Sequence, residues 1–162
     1  MSPLLFHSTS YSPPRAQAEI QKQLLGMGAR RISLEYDKGR NVSGMSFTLE
    51  TPAGEQEFLL PARADRVKAT LKRQGILRGV NLRRAENLVA QDEHAQAVAW
   101  RTLLEWVKLQ AALADTNQAE AAEIFLPYLL IEDGCGSRVT VYEKFNAARA
   151  LPDGQTDAVR TR

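Results

Sequence analysis

The stretch RVKATLKRQGILRGVNLRRAE, residues 66–86, holds seven lysines and arginines and no acid in its first nineteen positions. Cations without acidic neighbours are suited to one kind of chemistry: they neutralise a polyanion and release its condensed counterions, so binding falls steeply with salt. On a helix through residues 63–74, Arg63, Arg66, Lys68, Lys72 and Arg73 take up the circumference left by Val67 and Leu71, and the following connector adds Arg78, Arg83 and Arg84. No acid stands four residues from any of them to form the usual helical ion pair. These eight residues are the expected phosphate contacts of a nucleic acid, DNA or RNA; an acidic protein surface is the second partner they would suit. A third use of the charge is internal. Glu105, Glu120 and Glu123 could fold back over the stretch, and although exposed pairs contribute only about 0–1 kcal/mol each, they would cancel the field a polyanion needs.

The other residues able to do chemistry point to structure rather than catalysis. His7 and His94 stand in unrelated contexts, and His94, after Asp92 and Glu93, is expected as a solvated histidine near a helix start, with no second histidine at helical spacing to chelate a metal. Glu35 and Asp37 lie two apart on one strand and share a face, as paired carboxylates of a metal-dependent nuclease would, but the polar side of an amphipathic strand beside a turn predicts acids without any function, and no downstream carboxylate and lysine follow in the spacing such nucleases use. Cys135, between two glycines, has only Arg138 nearby to lower its thiol pKa and is expected as a small turn residue. There is no GxxxxGK phosphate loop, GxSxG elbow or HExxH helix. The expectation is therefore a non-enzymatic protein with no cofactor and no metal. Among the aromatics, Trp100 falls on a core stripe, whereas Trp106, Phe125 and Tyr128 are the candidate interaction residues, the last two within FLPYLL, which would suit an interface if exposed.

The elements that must hold these residues follow from periodicity. Pro14 and the spacing of Ile20, Leu24 and Met27 predict a helix over residues 14–26, with Ser12 able to cap it. RRISLEYD alternates Ile32, Leu34 and Tyr36 with polar residues; DKGRN is a hairpin loop; VSGMSFTLET and EQEFLLP continue as two more strands joined by TPAGE. This three-stranded antiparallel meander has one apolar face that helices must cover. ARADRVKATLKRQ is the basic helix, stopped by Gly75. From about residue 83 a long helix carries Val98, Trp100, Leu103, Leu104, Val107, Ala111 and Ala114 in one broad stripe. DTNQ breaks it, with Asp115 or Asn117 capping a short helix that runs to Pro127. After turns at Gly134 and Gly136, TVYEKF reads both ways, as a capping box from Thr140 to Glu143 and as an alternation of Val139 with Val141; a short helix is favoured.

A chain of 162 residues that is 44% hydrophobic and 25% charged has the make-up of one ordinary domain, able to bury roughly 70% of its unfolded surface without disulfides. The reading is a single α+β domain over residues 13–146, a flexible N-terminal arm over 1–12 and a disordered tail over 147–162. MSPLLFHSTSYSPP lacks the basic and apolar regions of a signal peptide, and no run of about 18 apolar residues occurs, so the expected location is a reducing cytoplasm with no membrane partner. The net charge of +2 hides a polarity: residues 66–84 carry seven cations, whereas residues 92–133 hold eight acids against Arg101 and Lys108. A homo-oligomer would multiply a modest patch by avidity.

The phrases GARRISLEYD, VSGMSFTLE, EFLLPA, AVAWRTLLEWVKLQAAL, FLPYLL and TVYEKF resemble a group of small bacteriophage and prophage proteins. That resemblance implies a mobile-element setting, in the host bacterial cytoplasm, and no particular chemistry. Proteins of such settings serve DNA replication, recombination or packaging, or block a host defence complex in the manner of an anti-CRISPR protein. The order α-β-β-β-α to residue 74 is also similar to the double-stranded RNA-binding domain, but its Gly-Pro-x-His loop is missing and PARADRVK matches its basic helix start only loosely.

Overall fold

The computed structural model describes residues 2–75 and 85–150. Its elements are α1 (Pro13–Gly26), β1 (Arg30–Tyr36), β2 (Val42–Thr51), β3 (Gly54–Pro61), α2 (Ala64–Arg73), α3 (Ala85–Asp115), α4 (Ala121–Phe125), a 3-10 turn (Leu126–Tyr128), β4 (Leu130–Glu132), β5 (Arg138–Thr140) and α5 (Val141–Ala150). The architecture is the expected α+β one: an N-terminal helix, a three-stranded antiparallel sheet in the order β1-β2-β3, then a mainly helical C-terminal half. Among the described residues no helix is long and apolar enough to cross a membrane.

The sheet turns its apolar face to α1 and α3. Met45, Phe47 and Leu49 of β2 and Phe58 and Leu60 of β3 are buried against Ala16, Ile20 and Leu24 of α1 and Trp100, Leu104 and Val107 of α3. Strict register from Gly44↔Pro61 to Thr51↔Gly54 keeps every second residue of β2 and β3 on that face. β1 is less regular. Its pairing with β2 shifts between Arg30 and Ser33, where Arg31 takes φ +48, and again between Glu35 and Tyr36. Each shift moves later side chains relative to the pleat. Ile32 and Leu34 still reach the core, but Tyr36, expected beside them, is 62% exposed.

The expected single stripe of α3 is in fact several faces. Trp100, Leu104 and Val107 meet the sheet, whereas Ala95 and Val98 meet Leu71 and Val67 of α2 in a second cluster. A helix of 31 residues is about 45 Å long, more than this sheet can cover, so its N-terminal half is free to carry α2 instead. Gln91 is buried in that half, with neither end of its amide hydrogen-bonded among the described residues.

The expected N-terminal arm is tied down along this helix pair. Gln74 accepts from the Leu4 amide at 2.8 Å and donates to the Ser2 carbonyl, while Leu4 packs on the α2–α3 cluster. His94 is not the expected solvated helix-start residue. It lies well inside α3, and its Nε2 donates to the His7 carbonyl at 2.7 Å, which requires the proton on that nitrogen. Further along, the Arg101 guanidinium sits 5.5 Å from the Phe6 ring and 4.5 Å from the Tyr11 ring, with Arg15 also 4.5 Å from Tyr11.

The Tyr11 hydroxyl donates to Glu19, whose carboxylate also faces Lys108 at 3.6 Å and Arg15 at 3.7 Å. The hydrogen bond holds Glu19 below the ordinary carboxylate value of 4.5, helped by Lys108 and Arg15, and raises Tyr11 above 10.0, helped by desolvation. A lowered carboxylate contributes stability above its unfolded pKa that is lost as pH falls; a raised phenol contributes stability below its unfolded pKa that is lost as pH rises. In melts followed across pH, Glu19→Gln should therefore show its full deficit between about pH 4.5 and 10 and converge on the wild type as pH falls below that range through the lowered Glu19 pKa or rises above it through the raised Tyr11 pKa. A deficit of equal size at every pH would show that the pair is not what tethers Tyr11.

The expected helix caps are met in part. Ser12 stands at the N-cap of α1 but makes no side-chain bond there. The short helix after the DTNQ break is capped by Glu120, in a box with Glu123, rather than by Asp115 or Asn117; Asn117 instead turns the chain at φ +54. TVYEKF realises both of its readings in succession: Val139 pairs with Ile131 in the β4–β5 hairpin, then Thr140 and Glu143 exchange capping bonds as α5 begins. A bridge from Phe58 to Leu129 joins that hairpin to the edge of β3. Of the expected tail, residues 147–150 end α5 and the remainder lies outside the described residues.

Candidate functional site

At 3.6 residues per turn, α2 sorts its cations by type. Residues 63, 66, 70 and 73 follow one another at i, i+3, i+7 and i+10, so Arg63, Arg66, Thr70 and Arg73 form a line along one flank. Lys68 and Lys72, four apart, lie on the opposite flank with Asp65. Val67, Leu71 and Ala64 lie between and pack inward. Gly75, at φ +73, ends the helix as expected, since a side chain there would be strained.

Among the described residues one acid of α3, Asp92, pairs with α2, and it does so on the lysine flank. Lys68 is 22% exposed and its ammonium is bound to Asp92, so of the expected phosphate contacts this one is already committed. Glu105 pairs instead with Arg101 at 2.8 Å and Lys108 at 3.4 Å, and Glu123 turns back to the amide of Glu120. Among the described residues no carboxylate lies within ion-pair distance of Arg63, Arg66, Lys72 or Arg73. The acidic half therefore does not cover the arginine line. Arg78, Arg83 and Arg84 lie outside the described residues.

Beside the arginine line is a cleft of about 340 Å³. Its floor is a third face of α3, Ala99, Leu103 and Trp106 at i, i+4 and i+7, with Thr102 beside them; one wall is Pro61, Ala62, Arg63, Arg66 and Val67, and Tyr128 forms the other. No acid lines it. Trp106 makes edge-on contacts with Tyr128 at 5.9 Å and with Phe125 at 5.9 Å. Phe125 in turn stands edge-on to Phe47 at 5.1 Å and Phe58 at 6.5 Å, so a row of rings runs from the sheet to the cleft. Two of the three candidate interaction residues, Trp106 and Tyr128, are thus half-buried at the site, whereas Phe125 is fully buried and serves the core. Of FLPYLL, Leu126 is exposed.

The remaining candidates are occupied elsewhere. Glu35 accepts from the Ser46 hydroxyl at 2.6 Å and Asp37 from the Asn41 amide at 2.9 Å, so the two carboxylates serve a strand pair and a hairpin separately. Among the described residues no three His, Cys, Asp or Glu side chains gather to hold a metal ion. Cys135 is exposed in the β4–β5 turn, where Asp133 accepts from the amides of Cys135 and Ser137. Trp100 is buried and donates to Gln96. Tyr142 and Phe145 are exposed on α5. Two larger clefts suit an anion less well: one of about 600 Å³ carries Asp92 and Glu93 with Arg40, and one of about 470 Å³ carries Asp115, Glu120 and Glu123 with no cation.

Sequence reasoning selected Arg63, Arg66, Trp106 and Tyr128 individually and missed that they share a cleft. It missed Ala99 and Thr102 altogether, and the only available signal was that 99, 102, 103 and 106 repeat at helical spacing off the main stripe. Compared with known proteins, the chain matches no family model, no curated protein and no solved structure.

Proposed function

We propose that this is a non-enzymatic nucleic-acid-binding accessory protein of a phage-like setting, working in the host bacterial cytoplasm and gripping phosphates with the arginine flank of α2. The observation that carries the reading is the line of Arg63, Arg66 and Arg73, left without acidic partners among the described residues although Asp92 of the adjoining α3 reaches Lys68 on the other flank. Guanidinium groups present a planar fork that matches phosphate oxygens in pairs, and they are less strongly hydrated than ammonium groups, so arginine suits this task better than lysine.

Binding of single-stranded DNA, double-stranded DNA and RNA should be measured between about 50 and 200 mM salt. Three to five phosphate contacts correspond to a logarithmic salt slope of roughly −2 to −5. Absence of binding even at the lowest salt would overturn the reading. Exposed Leu126, two residues before Tyr128, favours a second reading, in which the basic surface or the FLPYLL region meets a protein as an inhibitor or assembly factor.

A further inference from the structure

Resting on the nucleic-acid reading above, we infer that the cleft between α2 and Tyr128 receives an unpaired nucleobase, so that the protein selects single-stranded over duplex nucleic acid. An arginine line by itself cannot make that choice, because both forms present phosphates. A duplex keeps the faces of its bases inside the stack, whereas a single strand offers each base for contact with an aromatic side chain. Here the two chemistries adjoin: Arg63 and Arg66 form part of the wall, and Trp106 and Tyr128 lie within the same cleft. One nucleotide can thus meet cations with its phosphate and aromatic rings with its base.

Size supports a base over a protein element. At about 340 Å³ the cleft is at the small end of small-molecule sites, which run from about 300 to 1,000 Å³. A helix about 10–12 Å across would not enter it. The polar groups in the cleft set the expected selectivity among bases. Thr102 supplies the only neutral side-chain hydroxyl besides Tyr128, and its proton is given to the Val98 carbonyl at 2.8 Å. Stacking without a donor and acceptor array tolerates every base, so the choice is of strandedness and not of sequence.

The experiment compares one oligonucleotide of about ten residues in three forms: single-stranded, as its duplex, and single-stranded with its bases removed. The chain has two tryptophans, and Trp100 is fully buried, so a change in emission reports on Trp106. The expected result is single-strand binding about 5- to 150-fold tighter than that of the duplex or the abasic strand, with emission changing only for the intact single strand. Thr102→Leu, which fills the cleft with an aliphatic side chain from an exposed position lining it, should remove that preference and leave binding of the abasic strand unchanged. Should that variant melt early, the abasic strand makes the same comparison on the unaltered protein. Equal affinity for all three forms with no emission change overturns the inference and leaves the phosphate reading standing. Binding to none of them overturns both, and moves the site to a protein partner.

Discussion

Reversing the charge of Arg66 and Arg73 together should lower affinity for a single-stranded oligonucleotide by at least about a hundredfold at low salt, on the proposed reading. A hydrogen bond to a charged group contributes about 1.5–3 kcal/mol, so losing two such contacts removes roughly 3–6 kcal/mol before the added repulsion counts. The salt dependence should become shallower by about 0.9 logarithmic units for each phosphate no longer neutralised. The thermal melt should scarcely move: both residues are exposed, and surface changes of this kind usually stay within about 0.5 kcal/mol. Lys72→Glu is the internal control. It reverses one charge on the same helix, half the charge change of the double variant, but on the other flank, so its logarithmic loss of affinity should be well under half as large. A logarithmic loss from Lys72→Glu half that of the double variant would mean that only the overall field matters; an unchanged affinity in the double variant would put the site elsewhere.

The largest loss of stability should come from Phe125→Ala, at about 3–5 kcal/mol. Phe125 is fully buried, with Phe47, Phe58 and Trp106 edge-on around it, and it is the one fully buried side chain of its five-residue helix, whose Ala121 and Ile124 are only partly buried against the same core. Total stabilities of domains run about 5–15 kcal/mol, so this one ring accounts for a large part. At about 2–4 °C per kcal/mol for a chain of this size, the melting temperature should drop by about 6–20 °C. Phe125→Leu should recover much of it, since it keeps most of the apolar volume. A loss below about 1 kcal/mol in urea unfolding would show that α4 and the following turn are fastened by other contacts. Because Trp106 leans on Phe125, the alanine variant should also loosen the cleft, whereas the Arg66 and Arg73 changes leave its floor intact.

Fold and site were legible to different depths for physical reasons. Period-two alternation in β2 and β3 and the 3.6-residue spacing in α1 and α2 are local consequences of backbone geometry, so residues such as Phe47, Phe58, Ile20 and Leu71 could be placed from their neighbours in sequence. The exposure of Tyr36 was not legible, because it depends on where β1 slips against β2. Nor was the division of α3 into three faces, since a wide stripe records that a helix is buried without saying by what. Lys68 could be recognised as a cation, but its pairing with Asp92 spans 24 residues and needs the fold. The same holds for the cleft: Arg66 and Trp106 are separated by 40 positions, and only the crossing of α2 over α3 brings them to one place.

The docking of the N-terminal arm has a kinetic consequence. Its bonds join Leu4 to Gln74 and His7 to His94, at separations of 70 and 87 residues. Closing such long loops has an entropic cost that is recovered only once α2 and α3 are already in place, so these contacts belong after the rate-limiting barrier to folding. Interactions absent from a transition state govern how fast the native state is left, not how fast it is reached. Deleting residues 2–8 is therefore expected to speed unfolding while leaving the refolding rate nearly unchanged, as for a latch closed last on the α2–α3 pair.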